Sequence, residues 1–203
     1  MQSGMADHPF DAIEAALKRG VAALRDAEIP FLLGGSLASW ARGGPETRHD
    51  LDFLVKPADA ERALEALADA GMRPERPAEE WLYKAWDGEV CVDVIFEPRG
   101  LELDDEMLAR ADELHVLGLT IPVLALEDLM TTKLSALDEH CLDYSPVLQI
   151  ARALREQIDW QAVRRRTARS PYAEAFFVLA RGLGIAPAEP AAAGAEVRVI
   201  GNR

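Results

Sequence analysis

Two aspartates separated by a single residue, Asp50 and Asp52, are the side chains whose type and spacing point most directly to chemistry. They stand at the head of an apolar run, Leu51–Val55, that predicts a strand, and residues two apart on a strand point to the same face. Two carboxylates held that close repel, and each raises the pKa of the other. A divalent cation removes the repulsion, and magnesium prefers hard oxygen ligands of this kind. The alternative is that Asp50 is a turn residue and Asp52 is a charge on an edge strand.

A third aspartate, Asp93, interrupts a second apolar run, Val90–Phe96. A carboxylate at the centre of a strand with apolar neighbours is costly unless it has a partner. If this strand lies beside Leu51–Val55, Asp93 joins the first two carboxylates. Two metal ions that clamp the attacking and leaving oxygens would then be one use of the cluster. The alternative is a core aspartate satisfied by an ordinary hydrogen-bond partner.

A glycine-rich turn, Gly34-Gly35-Ser36, follows the short apolar run Phe31–Leu33. Glycines let a backbone approach a phosphate closely, and the free amides that begin a helix favour an anion. Ser36 is predicted to cap a short helix that runs through Trp40. The alternative is a turn with no ligand.

The remaining elements predict an α+β protein without internal repeats. Its first part has amphipathic helices at 11–27 and 59–70, a hairpin over 81–96 with its turn at Asp87-Gly88, and a second hairpin over 115–123. From residue 126 the period becomes helical, which predicts four helices: Glu127–Leu137, Val147–Gln157, Trp160–Ala168 and Tyr172–Leu183. The domain prediction is a mixed α/β core over 1–123, a helical domain over 124–186 and a loose tail over 187–203.

The order of these motifs resembles the DNA polymerase β-like nucleotidyltransferase superfamily. Gly-Gly-Ser, thirteen further residues, Asp-Leu-Asp and a later Val-Asp-Val make up the likeness, which covers about residues 31–96. The resemblance implies a small mixed-sheet, palm-like core followed by a C-terminal helical bundle. It implies an NTP substrate whose triphosphate lies on Gly34, Gly35 and Ser36. It also implies Mg²⁺, or Mn²⁺ in its place, on the three aspartates, with Asp93 helping to activate the attacking hydroxyl.

The segment from Val123 to Asp143 is similar to the region after the catalytic core in AbiEii/MenT-type toxin nucleotidyltransferases and in small antibiotic nucleotidyltransferases. That likeness implies that Lys133 reaches the triphosphate and that Asp143 supports the site. Asp138 competes with Asp143 for the second role, and Lys133 is equally compatible with a solvent-facing helix position. The toxin likeness implies transfer to RNA, most naturally a tRNA 3′ end, and a cognate antitoxin as partner.

Charge is distributed unevenly along the chain. The net charge is −13, and it divides into −17 over residues 1–149 and +4 over residues 150–203. The basic part contains an arginine cluster, which is either an RNA contact or a solvated helix face: Arg164, Arg165, Arg166 and Arg169. The acidic part would instead suit a polycationic acceptor such as an aminoglycoside. A catalytically silent nucleotide-binding module would be expected to lack one of the carboxylates, and none is missing.

Other features of the sequence restrict the setting. No apolar run approaches the length of a membrane span, and the first ten residues lack the pattern of a signal peptide. Cys91 and Cys141 are far apart and belong to no Cys-x-x-Cys motif, which disfavours a zinc site and a disulfide scaffold. We therefore expect a cytoplasmic protein without membrane contact.

Overall fold

A single seven-stranded sheet organises the protein, for which the computed structural model describes residues 9–46 and 50–188. The strands are β1 (Phe31–Leu33), β2 (Asp50–Val55), β3 (Arg73–Glu75), β4 (Leu82–Asp87), β5 (Val90–Ile95), β6 (Asp112–Val116) and β7 (Leu119–Val123). They lie in the order β3-β4-β5-β2-β1-β7-β6. The sheet is mixed, because β2 runs parallel to β5 and β1 runs parallel to β7, while the other neighbours are antiparallel.

Two amphipathic helices, α1 (Pro9–Asp26) and α3 (Ala60–Asp69), cover one face of this sheet. A short 3₁₀ turn, Pro57–Asp59, precedes α3. The face that these helices cover carries Leu51 and Phe53, which are fully buried. Because side chains alternate along a strand, Asp50 and Asp52 are directed to the opposite face.

The short helix α2 (Gly35–Trp40) packs on the opposite face, and α5 (Leu126–Ser135) packs against α2. The remaining helices are α4 (Asp105–Ala109), α5 (Leu126–Ser135), α6 (Ser145–Leu154), α7 (Trp160–Thr167) and α8 (Pro171–Gly182). One continuous cluster of buried apolar residues joins the sheet to the last four helices. The predicted α+β fold with a C-terminal helical part is confirmed, whereas the domain boundary after residue 123 stays a prediction.

The two predicted hairpins form, with one difference in the position of a turn. In the first hairpin Asp87 pairs with Val90, so the turn consists of Gly88 and Glu89 instead of Asp87 and Gly88. Gly88 has a positive φ of 62°, which a glycine adopts without strain. In the second hairpin Leu117 and Gly118 both have positive φ, as a type I′ turn requires.

The prediction that Ser36 caps α2 is wrong. The carbonyl of Gly34 accepts the first helical hydrogen bond, from the amide of Ala38 at 3.0 Å, so Gly34 is the capping position. Ser36 consequently lies inside the first turn. Two elements were not predicted: the edge strand β3, which is short and polar, and α4, which Asp104 caps by accepting from the amide of Met107.

Two further observations concern the C-terminal tail and the possibility of a membrane-spanning helix. Of the predicted loose tail over 187–203, residues 189–203 lie outside the described residues. Among the helices of the described part of the chain, none combines the length and the apolar character that crossing a bilayer demands.

Candidate active site

The parallel pairing of β2 with β5 brings the predicted carboxylates together. Asp52 and Asp93 are direct partners in the register of the two strands, and Asp50 is the partner of Cys91. All three aspartates therefore stand on the face of the sheet that α1 and α3 leave uncovered. The condition under which Asp93 joins the first two carboxylates, that its strand lies beside theirs, is therefore met.

Asp52 is the carboxylate most strongly affected by its surroundings. Burial is the largest cause that raises its pKa from 3.8 to about 6, and the negative charges of Asp93 and Asp50 act in the same direction. The positive charge of Lys133 opposes the shift. Asp52 thus experiences both neighbouring carboxylates and the predicted lysine, which indicates that the four groups share one electrostatic site.

Gly35 lies directly against the carboxylate of Asp52. A Cβ atom at position 35 would stand 1.6 Å from Oδ2 of Asp52, and the residue has a positive φ of 59°. The amide of Gly34 also donates to the backbone carbonyl of Asp52 at 2.8 Å. The glycines therefore have a structural task that the sequence did not indicate: they make room for a carboxylate and hold its strand.

Asp93 has two partners within its own hairpin. The ammonium of Lys84 donates to Oδ1 of Asp93 at 2.7 Å, and the thiol of Cys91 lies 3.4 Å from the same oxygen. Burial raises the pKa of Cys91 to about 12, with a further contribution from Asp93, so the thiol stays protonated. Lys84 was not singled out from the sequence, although it is the opposite-charge neighbour of a predicted metal ligand.

Lys133 and Asp52 line one cavity of about 450 Å³, together with Gly35. The volume lies within the range of small-molecule sites. Arg99 and Asp138 line the same cavity and form an ion pair of 2.9 Å.

The structure also distinguishes the two acidic candidates after Lys133. Asp138 borders the cavity, and its Oδ1 accepts the backbone amides of His140 and Cys141, each at 2.9 Å. Asp143 is exposed, does not line the cavity and accepts the amide of Ser145 at the start of α6. The geometry favours Asp138 as the carboxylate beside the site, where it holds Arg99 and its own loop.

The carboxylate oxygens of the three aspartates are ligands that suit a hard divalent cation, although the three side chains do not point to one common position. Within residues 9–46 and 50–188, no group of three or more His, Cys, Asp or Glu side chains stands close enough together to hold a metal ion. The chemistry nevertheless fits, because the three carboxylates supply oxygen ligands, and because the pKa of Asp52 is raised by burial first and by the charges of Asp93 and Asp50 second. Asp50, Asp52 and Asp93 are the residues that would hold the ion.

The predicted arginine cluster lies away from this cavity. Arg166 donates at 2.6 Å to Asp128, which is fully buried and also accepts from Arg110 at 2.7 Å. Asp128 and Lys133 are five residues apart on α5, which separates them by roughly 140° around the helix axis. Arg166 therefore binds a different face of α5 from the one that carries Lys133 towards the cavity.

The other members of the cluster are distributed over the surface of the helical part. Arg164 pairs with Glu174 at 3.2 Å, and Arg165 and Arg169 are exposed. Arg164 and Arg165 line a second cavity, of about 840 Å³, to which Trp160 and Phe177 contribute aromatic walls.

One known protein family covers most of this chain. The family model described as an uncharacterised nucleotidyltransferase matches residues 11–183. No curated protein matches the chain in sequence.

Solved structures give the same fold. The crystal structure of ANT(2″)-Ia in complex with adenylyl-2″-tobramycin has a TM-score of 0.60 at 14% identity and covers 81% of this chain and 98% of its own. A solution structure of the antibiotic-resistance factor ANT(2″)-Ia has a TM-score of 0.59 at 16% identity, with 85% and 97% covered. A putative nucleotidyltransferase from Thermotoga maritima has a TM-score of 0.50 at 19% identity, with 59% and 81% covered. Because the family model spans most of the sequence, including the paired aspartates, the glycine turn and Lys133, this chain belongs to that nucleotidyltransferase family.

Proposed function

We propose that this protein transfers a nucleoside monophosphate from an NTP to the hydroxyl group of an acceptor, using Asp50, Asp52 and Asp93 as ligands of Mg²⁺ or Mn²⁺. The observation that carries the proposal is the direct pairing of Asp52 with Asp93 beneath the Gly35 turn. Two carboxylates in register, one of them with a strongly raised pKa, are unfavourable for the fold and are typical of a functional site.

Each residue of the site has its own role in the proposed reaction. The acceptor hydroxyl attacks the α-phosphorus in line, a new P–O bond forms, the bond to the β-phosphate oxygen breaks and pyrophosphate leaves. Asp93 takes the hydroxyl proton, and Lys133 neutralises charge on the departing pyrophosphate. The backbone of Gly34, Gly35 and Ser36 orients the triphosphate. Bound Mg²⁺ supplies Lewis-acid stabilisation of the phosphoryl oxygens and lowers the pKa of the attacking hydroxyl.

The first candidate acceptor is a small hydroxylated molecule with positive charge. The cavity of about 450 Å³ has the size of a small-molecule site, and residues 1–149, which include the three aspartates, have a net charge of −17. The fold shared with ANT(2″)-Ia, a protein whose structure contains an adenylylated aminoglycoside, supports the same acceptor class.

RNA is the second candidate acceptor, and the second cavity favours it. Arg164, Arg165 and Arg181 line this cavity beside two aromatic rings, a combination that suits a phosphate backbone and stacked bases. An RNA would have to reach from there around α5 to the aspartates. A tRNA 3′ end as acceptor and a cognate antitoxin as partner stay predictions from the resemblance.

The enzyme class is tested with NTPs labelled at the α-phosphate. The protein is incubated with Mg²⁺, one labelled NTP at a time, and either total tRNA or a panel of aminoglycosides. We expect labelled product from the wild type, none from Asp52→Asn, and wild-type activity from Asp69→Asn, an exposed carboxylate at the end of α3. Equal activity of wild type and Asp52→Asn would contradict the assignment of the site.

The acceptor is tested with arginine variants in the same assay. Because Arg166 supports buried Asp128, the informative variant is Arg165→Ala combined with Arg169→Ala, whose side chains are exposed. Label transfer to an aminoglycoside that survives both changes supports the small acceptor. Label transfer to tRNA that these changes abolish would move RNA to first place.

A further inference from the structure

Lys84 is placed opposite Asp93 in the hairpin formed by β4 and β5. The two residues are direct partners across the strands, and Nζ of Lys84 lies 2.7 Å from Oδ1 of Asp93. Both side chains are largely withdrawn from solvent, with 26% of Lys84 and 17% of Asp93 exposed. A hydrogen-bonded ion pair with this little solvent is less screened than a surface pair and fixes the position of both groups.

Within the hairpin, the residues that neighbour this pair on the same face carry no charge. On the same face of the hairpin, the neighbouring pairs are Leu82 with Ile95 and Trp86 with Cys91, none of them ionised. Lys84 and Asp93 form the one pair of opposite charges among the six residue pairs of this ladder. The charge of Lys84 therefore answers the carboxylates beside it: Asp93 in the same hairpin, and Asp50 on the adjoining strand, whose charge also acts on Lys84.

Lys84 and Asp93 lie on the two strands next to the strand of Asp52, and neither lines the cavity that Asp52 and Lys133 share. Asp93 is the carboxylate that the proposed function assigns to the attacking hydroxyl, and the Lys84 ammonium already contacts it. The positive charge of Lys84 also acts on Asp52, two strands away. A unit charge so close to a ligand carboxylate repels any second cation that approaches the same oxygen atoms.

We propose that the ammonium of Lys84 occupies the cation position beside Asp93, and that it thereby weakens the binding of a second divalent ion at that carboxylate. The inference rests on the proposed function, because it requires that the aspartates bind metal. Asp50 and Asp52 then form the stronger divalent site, and Lys84 acts as a positioning residue that holds the Asp93 carboxylate through their ion pair.

The test measures Mn²⁺ binding by electron paramagnetic resonance of the free ion, without NTP or acceptor. We expect the wild type to bind one ion tightly and a second weakly. Lys84→Met, which keeps the length of the side chain and removes its charge, should strengthen the second site about tenfold or more. Lys84→Arg keeps the charge and should bind as the wild type does, and so should Lys56→Met, which removes a surface ion pair with Asp105.

Two further variants test whether the strengthened site involves Asp93 and provide a substitute if Lys84→Met does not fold. Adding Asp93→Asn to Lys84→Met should abolish the gain, because the strengthened site is assigned to that carboxylate. Lys84→Gln serves in place of Lys84→Met if the latter does not fold. An affinity for the second ion that is unchanged in a folded, uncharged Lys84 variant overturns the inference, even if its thermal stability falls.

Failure of this inference is distinguishable from failure of the proposed function. If the wild type transfers label in an Asp52-dependent manner and Lys84→Met binds Mn²⁺ as the wild type does, only the role of Lys84 is wrong. If neither protein binds Mn²⁺ and neither transfers label, the metal site itself is wrong, and the inference is overturned with it.

Discussion

Replacing Asp52 with Asn should stabilise the metal-free protein by an amount that grows with pH. In the folded protein, burial and the neighbouring carboxylates raise the pKa of Asp52 from 3.8 to about 6. Between these two values the folded protein keeps a proton that the unfolded chain has released, so the stability of the wild type falls as the pH rises through this window. Above pH 6 the penalty stays constant, because both states are then ionised.

The size of the effect follows from the two pKa values. A difference of about two in pKa corresponds to about 3 kcal/mol in the free energy of unfolding, which is a large part of the stability of an ordinary domain. The asparagine has nearly the same shape and carries no charge, so it avoids this penalty. The stability difference between Asp52→Asn and wild type should thus be small near pH 4 and approach about 3 kcal/mol above pH 6.

The assay is urea-induced unfolding followed by tryptophan fluorescence, in EDTA, at a series of pH values. Asp69→Asn is the matched control, and its difference from wild type should not vary in this way. A difference between Asp52→Asn and wild type that is constant from about pH 4 to pH 8 would refute the reasoning, because the penalty depends on ionisation. Mg²⁺ should then stabilise the wild type at neutral pH and leave Asp52→Asn unchanged.

Three other substitutions have expected outcomes. Gly35→Ala should lower kcat/KM about a hundredfold or more, because the added methyl group displaces the carboxylate of Asp52 and such a displacement misaligns the reacting groups. Asp128→Ala should lower the free energy of unfolding by about 3–5 kcal/mol in a denaturation experiment, since it leaves two arginines without their shared buried carboxylate. Lys133→Met should lower kcat by about a hundredfold in the label-transfer assay, because it removes a positive charge from the cavity.

Each of these has a contradicting result, and two of them have a control variant. Gly43→Ala also introduces a methyl group at a positive φ, of 90°, but with open space around its Cβ position, so it controls for backbone strain and should lower kcat/KM far less. An equal loss in both glycine variants would speak against the contact with Asp52. If Asp128→Ala has the same free energy of unfolding as the wild type, the buried ion pairs contribute no net stability. Lys133→Arg should retain part of the activity. Full activity in Lys133→Met would mean that Lys133 is only a solvent-facing helix residue and does not reach the triphosphate.

Local patterns made much of the fold predictable. The apolar runs that end in Val55 and in Phe96 gave the two central strands, and the change to a helical period near residue 126 gave the last four helices. The edge strand β3 was missed because Arg73, Pro74 and Glu75 show neither apolar alternation nor β propensity. Pairing with β4, the next strand along the chain, creates this strand, and the three residues of β3 carry no signal of that pairing themselves.

The candidate site was predictable in its carboxylates and less so in its other groups. The sequence indicated that Asp52 and Asp93 could meet, but the direct pairing depends on a register between strands that are far apart in the chain. Lys84 was missed for a smaller reason. A turn at Asp87-Gly88 would place Leu82 opposite Asp93, whereas the turn at Gly88-Glu89 places Lys84 there. Moving the turn by one residue changes the cross-strand partner by two.

The contact between Gly35 and Asp52 has a consequence for how the two positions change in evolution. The space beside Gly35 is filled by the carboxylate of position 52, so a side chain at position 35 becomes tolerable in space only after that carboxylate is gone. Two constraints keep glycine at position 35: the steric contact with the carboxylate of position 52, and the positive φ. In relatives that have lost the aspartate, only the constraint from the positive φ still applies. We therefore expect the two positions to covary, with substitutions of the glycine accumulating in lineages that have already abandoned catalysis. A lineage with a substituted glycine and an intact aspartate would be a sign that the strand has shifted.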